Sequence, residues 1–405
     1  STLTGQTYTY DTTVPTVTVA LAAASDTGSS SSDGITSAAT LTYNVTFSES
    51  VTGLATGDFS LSGTSCTLGV LSGSGTTYTL TVTSCADGAS VGLSVLANAV
   101  SDAAGNSGPA ATTAAATVTI DRTGPTVTIN QAATQADPAN ASPVLFRVVF
   151  SEPINVSSFT AADVTIGGTA TGTRTVTISQ LSPTDGTTFQ ASVSSITSTA
   201  QTGGTVIASI AVGLVSDPAG NTSAASTSTD NTVTYDIVRP TLSSINRSTG
   251  ATNPTNTGPL TWTATFVEPV SGVTASNFGV ATSGITGTAP SITSVATTDG
   301  STLSTTWVIT VSTTGAIGAK AGSIGVNLTS ATGIADAATN TLSTATLTGQ
   351  TYTYDTTGPA ISSIARVAAS DTGSSSSDGI TNASTVDFLV TFDESLSGQI
   401  GRAHV

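Results

Sequence analysis

Apolar and polar residues alternate along most of this chain in short runs. Leu41, Tyr43, Val45 and Phe47 occupy every second position of one such run. Alternation of this kind, bounded by Gly, Ser, Thr, Asn and Asp, is typical of a β-strand with one face in a core. No stretch keeps the periodicity of an amphipathic helix over a useful length. The pattern therefore predicts an all-β protein.

The same strand pattern returns three times. The later sets are Val144, Phe146, Val148, Phe150; Leu260, Trp262, Ala264, Phe266; and Val386, Phe388, Val390, Phe392. An aspartate followed four positions later by proline precedes each set, at Asp11, Asp121, Asp236 and Asp355, with spacings of 110, 115 and 119 residues. Proline fixes φ and cannot donate to a strand ladder, so it marks a strand start or a linker. We therefore predict repeat 1 at residues 11–120, repeat 2 at 121–235 and repeat 3 at 236–354.

The chain ends support a longer tandem array. Residues 2–11 recur identically at 346–355, and residues 25–36 recur at 370–381. Residues 1–10 are thus interpreted as the end of a preceding repeat and 355–399 as the start of repeat 4. About seven short strands in about 110 residues predict tandem immunoglobulin-like β-sandwich domains in a linear array. A β-solenoid would have a much shorter repeat.

Both termini suggest an interior piece of a longer protein, without initiator methionine or signal peptide. The last six residues, Ile-Gly-Arg-Ala-His-Val, break the repeat pattern. They correspond to the codons ATC GGA AGA GCA CAC GTC, which resemble a common sequencing-adapter sequence. We therefore expect residues 400–405 to be a non-native tail.

Composition limits the partners. Twenty-four acidic residues against eight basic ones give a net charge of −16, although only 8% of the 405 residues are charged. Such a surface repels nucleic acid and anionic membranes and favours cations. No apolar segment is long enough for a membrane span.

Three acidic motifs recur in the repeats. A glutamate follows the first buried strand, an aspartate (Asn277 in repeat 3) opens the next strand, and an Asp-x-x-Gly-Asn loop, with Thr339 for glycine in repeat 3, precedes the last strand. With the linker aspartates, the predicted set is Asp11, Glu49, Asp58, Asp102, Asp121, Glu152, Asp163, Asp217, Asp236, Glu268, Asp336 and Asp355. If strands alternate in direction, all of these acids reach the end of a repeat that faces the preceding one.

Clustered carboxylates repel one another unless a cation lies among them. Oxygen ligands without histidine or cysteine favour Ca²⁺ over zinc or copper. The sequence therefore predicts Ca²⁺ at the repeat junctions. The alternative is that these acids cap turns and accept backbone N–H groups. Asp26 and Asp33, in a serine-rich loop that projects towards the next repeat, are weaker candidates for ligands.

Catalysis is not expected. Paired acids occur in glycosidases, but a site repeated at every junction suits a structural role better. A Ser-His-Asp triad would depend on the single histidine, which lies in the anomalous tail. Cys66 and Cys85 flank two strands around a Ser72–Gly75 turn, and they either pair as a disulfide in an oxidising compartment or remain as buried thiols.

The Asp-Thr-Thr-Gly-Pro linker, the Phe-Ser-Glu motif and the Ser-Asp-x-Ala-Gly-Asn loop together resemble bacterial immunoglobulin-like (Big-type) tandem repeats. Such repeats build large secreted surface adhesins and biofilm-associated proteins. The resemblance implies a secreted or cell-surface extender, often stiffened by calcium, that holds a binding tip away from the cell.

Two other functions stay open: a subunit of an extracellular filament, sheath or surface layer, and an accessory binding module of a secreted enzyme. The expected partners are neighbouring repeats of the same chain, with host-surface, glycan or matrix ligands bound through regions outside this sequence.

Overall fold

A computed structural model describes residues 4–63 and 65–396. Within them the chain is built from β-strands and short 3-10 turns. It forms two compact units. The first runs to Asp236 without Ala200–Thr202, and the second contains the remaining described residues. The fold class predicted from the alternation is confirmed, and the predicted tail at 400–405 lies outside the described residues.

Repeat 1 is a two-layer sandwich. Its strands are β1 (Val17–Leu21), β2 (Ile35–Thr36), β3 (Leu41–Val51), β4 (Phe59–Ser62), β5 (Thr67–Thr83), β6 (Ser90–Val95), β7 (Val100–Ser101), β8 (Ser107–Gly108), β9 (Thr113–Ala114) and β10 (Val118–Ile120). One sheet has the order β1-β3-β5 and the other β2-β10-β6-β4, with β9 beside β6. The alternating face of β3 is buried against Leu93 and Ile120 of the second sheet. Burial of this face, about 25 cal/mol per Å² of apolar area, is what drives the two sheets together.

Strand β5 spans the predicted Ser72–Gly75 turn and folds back on itself. The hydroxyls of Ser72 and Thr79 lie 2.7 Å apart, and those of Thr67 and Thr83 lie 3.1 Å apart. Gly73 and Gly75 have φ values of 113° and 67°, a region that glycine enters without strain. The base of this hairpin is closed by a Cys66–Cys85 disulfide with a Cα–Cα distance of 4.1 Å.

Repeat 2 repeats the sandwich. Its strands are β11 (Val127–Gln131), β12 (Val144–Phe150), β13 (Val164–Gly167), β14 (Thr175–Gln180), β15 (Thr188–Ser194), β16 (Gly204–Ile210) and β17 (Thr232–Tyr235), in sheets β11-β12-β15-β14 and β13-β16-β17. Phe150, Phe159 and Phe189 pack edge to face, with ring centroids 5.2 to 5.9 Å apart. Such pairs stabilise a core beyond their buried area.

The second unit holds repeat 3 and the described part of repeat 4. Repeat 3 comprises β18 (Leu242–Arg247), β19 (Leu260–Val270), β20 (Phe278–Gly287), β21 (Ser291–Ala296), β22 (Ser304–Ser312), β23 (Ala316–Leu328) and β24 (Leu347–Thr353). Its sheets have the orders β18-β19-β22-β21 and β20-β23-β24. Trp262 is fully buried, packs on Tyr352 at 4.9 Å between centroids, and donates its indole N–H to the Gln350 carbonyl.

Repeat 4 contributes β25 (Ile361–Arg366) and β26 (Phe388–Phe392), which pair with each other. We predicted Val386, Phe388 and Val390 as part of a buried face, but they are exposed, Phe388 by 59%. Among the described residues of repeat 4, no second sheet covers this pair. An alternating strand is buried only when another layer packs on it.

Within residues 4–63 and 65–396, six 3-10 turns lie between strands: Ala23–Ser25, Thr56–Asp58, Val156–Ser158, Ala161–Asp163, Ala275–Asn277 and Ala368–Ser370. In the described part of the chain, no helix has the length and hydropathy that a bilayer crossing requires.

Candidate metal centre

Repeats 1, 2 and 4 each begin with a turn built by the linker aspartate. A carboxylate oxygen of Asp11 accepts the N–H of Thr13 at 2.9 Å, and Asp121 and Asp355 accept from the residue two positions later in the same way. This side-chain turn is the usual local structure of an aspartate two residues before the amide it binds. It fixes where the linker carboxylate enters each of these repeats.

The Asp-x-x-Gly-Asn loop binds to that linker. In repeat 1, Asp102 accepts the N–H groups of Ala104 and Asn106 at 2.8 Å, and the Asn106 amide at 2.8 Å. The Asn106 amide also donates to the Asp11 carbonyl at 3.2 Å. Gly105 closes the turn at φ 91°. The loop aspartate is therefore buried, hydrogen-bonded and connected to the linker by one asparagine.

Repeat 2 has the same arrangement. Asp217, which is 1% exposed, accepts from the Asn221 N–H at 2.9 Å and from its side-chain amide at 2.8 Å. The Asn221 amide reaches the Asp121 carbonyl at 3.0 Å. Repeat 3 keeps the Asp336–Asn340 bonds at 2.8 and 2.9 Å, with Thr339 at φ 68° in the position of the glycine.

These loops bring the acids into groups. One carboxylate oxygen each of Asp11, Glu49 and Asp102 lie within 4.8 Å of one another, and Asp121, Glu152 and Asp217 form a second such group. Glu268 and Asp336 also lie within this distance of each other in the second unit, while Asp236 is a buried residue at the end of the first.

Asp58 and Asp163 lie outside these groups. Asp58 accepts the Ala55 N–H at 2.8 Å, and Asp163 accepts the Thr160 N–H at 2.7 Å, so each caps a 3-10 turn. Asn277 accepts from the Thr274 N–H at 2.7 Å in the same position. An asparagine replaces the aspartate there because the cap uses only the side-chain oxygen, which both residues have.

In repeat 4, Asp355 and Glu394 line one cavity of about 540 Å³ in the second unit. Hydrogen bonds from Thr357 lower the pKa of Asp355, and the Lys320 charge adds to that effect. Lys320 also forms an ion pair with Asp393. The ammonium group of Lys320 therefore places a positive charge beside the acids of repeat 4.

The two groups of the first unit are electrostatically strained. Burial, then the charges of Asp102 and Asp11, raise the pKa of Glu49. Burial, then the charges of Asp121, Asp217 and Asp87, raise the pKa of Glu152. In contrast, hydrogen bonds from Asn106 hold the pKa of Asp102 below its ordinary value. Burial, then the charges of Asp217 and Asp87, also raise the pKa of Asp121. Glu49, Glu152 and Asp121 are thus the group members whose charged form a bound cation would stabilise.

Asp87 and Arg122 also shape the junction between repeats 1 and 2, and sequence analysis did not select either. Asp87 accepts the Arg122 N–H at 2.7 Å and the Thr123 hydroxyl at 2.5 Å. The Arg122 guanidinium donates to the carbonyls of Cys85 and Ala38 at 2.8 and 2.7 Å. Neither residue recurs at the corresponding place in every repeat, so a search for repeated acids could not find them.

A loop of repeat 1 donates hydrogen bonds to repeat 2 at the same junction. Within the clamp loop, defined here as residues 26–37, the Ser29 N–H donates to the Pro218 carbonyl at 2.9 Å and the Ser37 hydroxyl to the Ala219 carbonyl at 3.0 Å. Gly28, at φ 108°, lies so close that a Cβ there would be 2.0 Å from the Pro218 oxygen. The clamp loop therefore contacts the loop that carries Asp217.

The donor set suits Ca²⁺. Each group offers three carboxylate oxygens and no nitrogen or sulfur, which is the chemistry of a hard cation with six to eight oxygen ligands. Burial and, after it, the charges of neighbouring acids raise the pKa of Glu49 and of Glu152, so the ionised glutamates are disfavoured without a counter-charge. The residues present therefore fit a calcium ion, with the remaining positions open to water and carbonyl oxygens.

A family comparison agrees with the fold of repeat 1. Residues 11–119 match the family model of a bacterial Ig-like domain, so repeat 1 is a domain of this type. No curated protein matches the chain.

Among solved structures, the Escherichia coli adhesin FdeC is similar at 16% identity and a TM-score of 0.35, over 82% of this chain and 96% of that one. Domains 1–6 of the surface layer protein SbsC are similar at 13% identity and a TM-score of 0.21, over 88% of this chain and 56% of that one.

Proposed function

We propose that this chain is a non-catalytic extracellular repeat region, a calcium-stiffened spacer of a bacterial surface adhesin. Its support is the bacterial Ig-like domain of repeat 1 together with the repeated convergence of three acids at a linker. The second observation carries the mechanical part of the proposal. A binding or catalytic site is needed once, whereas a device that sets the angle between repeats is needed at every junction.

At the junction of repeats 1 and 2, the positions of the three acids suggest how a bound ion would stiffen the chain. Asp121 belongs to the linker, Glu152 follows a strand of the sandwich, and Asp217 lies in the Asp-x-x-Gly-Asn loop. An ion bound to all three joins the linker to two separate segments of repeat 2. Since Arg122 and Asp87 already join the same linker to repeat 1, the ion would restrict bending between the repeats.

The first prediction is that calcium raises the melting temperature. An ion that binds the folded state stabilises it by about 2.7 kcal/mol when its concentration is 100 times the dissociation constant. We expect calorimetric melting of the full chain to shift upward by several degrees in millimolar Ca²⁺ relative to EGTA, with a smaller shift in Mg²⁺. Small-angle scattering should show a larger maximum dimension in Ca²⁺. Equal melting in calcium and chelator would contradict the proposal.

The second prediction is that Glu152→Gln has opposite effects with and without calcium. The folded pKa of Glu152 is raised, so in chelator its contribution to stability falls as pH rises from about 4.5 through the folded pKa. Above that window the charge destabilises the metal-free fold, and its removal should raise the melting temperature. In calcium at the same pH, the lost ligand should lower it.

Calorimetry at pH 5 and pH 7, each with EGTA and with Ca²⁺, measures this reversal. Asp230→Asn, an exposed acid of the same repeat, is the matched control and should show no reversal. A Glu152→Gln effect of one sign in all four conditions would mean that no ion binds this group.

A further inference from the structure

Asp26 is a buried charge in the clamp loop. Its side chain is 7% exposed, and its Oδ2 atom accepts the Gly34 N–H at 3.2 Å. Its Oδ1 atom is shielded from solvent and has no hydrogen-bond partner among the described residues. A buried carboxylate is costly unless a cation or several donors compensate it. One amide does not meet this requirement.

A pocket adjoins this residue. Asp26, Ser31, Ser32, Gly34 and Leu21 all line a cavity of about 290 Å³ in repeat 1. A carboxylate and two hydroxyls are oxygen donors of the kind that hard cations bind. The cavity volume is also many times that of one water molecule.

Repeat 4 contains the same loop with one decisive difference. Residues 370–381 copy residues 25–36, and Asp371 is 5% exposed, like Asp26. Here Oδ2 accepts the Gly379 N–H at 3.0 Å and also pairs with the Arg366 guanidinium at 3.1 Å, while Oδ1 is buried without a hydrogen-bond partner among the described residues, as in Asp26. The copied acid therefore has a cation of its own.

Leu21 occupies the position of Arg366 in repeat 1. Leu21 pairs with Tyr43 and Arg366 with Phe388, each four residues before the phenylalanine that ends the alternating run. In repeat 4 the guanidinium lies beside Gly379, 2.7 Å from where a Cβ would be. The matching Gly34 lines the pocket of repeat 1. The space that the guanidinium fills in one copy is thus open in the other.

We propose that repeat 1 binds a second kind of calcium ion in this pocket, held by Asp26 and the hydroxyls of Ser31 and Ser32, where repeat 4 uses Arg366. A site with one carboxylate should bind calcium weakly, with a dissociation constant of about 10⁻⁴–10⁻³ M, as in extracellular calcium modules. Because the clamp loop contacts Pro218 and Ala219, the ion orders the loop that holds repeat 2. The inference extends the proposed function to a site outside the acidic groups.

The test counts bound calcium by equilibrium dialysis on the full chain. Asp26→Asn and Leu21→Arg should each bind one ion fewer than the wild type, the second because its guanidinium takes the ion's place. Asp33→Asn removes an exposed carboxylate of the same loop, which accepts only the Ile35 N–H among the described hydrogen bonds, and should bind the full number. If Asp26→Asn fails to fold, Leu21→Arg decides the result alone.

The same measurement on Glu49→Gln/Glu152→Gln separates this site from the junction groups. The ion that Leu21→Arg removes should remain in this double variant, whereas junction ions should be lost. Retention of every ion by Leu21→Arg would overturn the pocket site and leave the junction proposal intact. Full calcium binding by the double variant would overturn the junction proposal and leave the pocket site intact.

Discussion

Replacing Asp217 with alanine is expected to lower the free energy of unfolding of repeat 2 by about 2–4 kcal/mol in calcium. The carboxylate is almost completely buried and accepts both the backbone and the side-chain N–H of Asn221. Its loss leaves these donors unsatisfied and frees the amide that binds the Asp121 carbonyl. The same change removes one of three acids from the candidate ion site. The Asp217→Ala change therefore combines the loss of hydrogen bonds with the loss of a candidate calcium ligand.

Chelator separates the two losses. In EGTA only the hydrogen-bond loss remains, so the Asp217→Ala effect should shrink but not vanish. Asp163→Ala is the matched control, since Asp163 also accepts N–H and hydroxyl hydrogen bonds, from Thr160, but lies outside the acidic group. We expect it to cost about 0.5–1 kcal/mol, equally with and without calcium. A calcium-dependent Asp163→Ala effect would restore Asp163 as a candidate ligand.

The contrast between Asp163 and Asp217 shows how far sequence reasoning reached. The alternating strands located the ends at which acids meet, and strand direction placed Glu152 and Asp217 at the same end of repeat 2. The Asp163 side chain turns back on its own 3-10 turn, because the Thr160 amide three residues earlier competes for its carboxylate. That choice depends on local backbone geometry, which a count of acidic residues does not contain.

Features that occur once in the chain were beyond the same reasoning. Asp87 and Arg122 act at one junction, and their importance depends on carbonyls of Cys85 and Ala38 that have no sequence signature. The difference between Leu21 and Arg366 lies four residues before the duplicated segments and was visible in the sequence. It acquired meaning only when the structure showed that Asp26 and Asp371 are both buried. Sequence repetition therefore identifies shared sites, whereas the structure identifies which copies differ in their side-chain partners.

Removing the Cys66–Cys85 disulfide should lower the stability of repeat 1 by about 3 kcal/mol, because the cross-link closes a loop between residues 19 apart. For a domain of this size the melting temperature should fall by on the order of 10 °C. The effect should also reach repeat 2. The Cys85 carbonyl accepts a hydrogen bond from the Arg122 guanidinium. Asp87, two residues later, accepts the Arg122 N–H and the Thr123 hydroxyl of the linker.

We expect repeats 1 and 2 of the wild type to melt in one transition, and Cys66→Ala/Cys85→Ala to separate their melting into two. Reducing agent should reproduce this separation in the wild type and leave the double variant unchanged. Arg122→Ala serves as the comparison, since it removes the guanidinium bonds to the Cys85 and Ala38 carbonyls while keeping the disulfide. It should separate the transitions without the full loss of stability in repeat 1. If the disulfide variant lowers the melting of repeat 1 alone and the two repeats still unfold together, the hairpin base does not contribute to the junction.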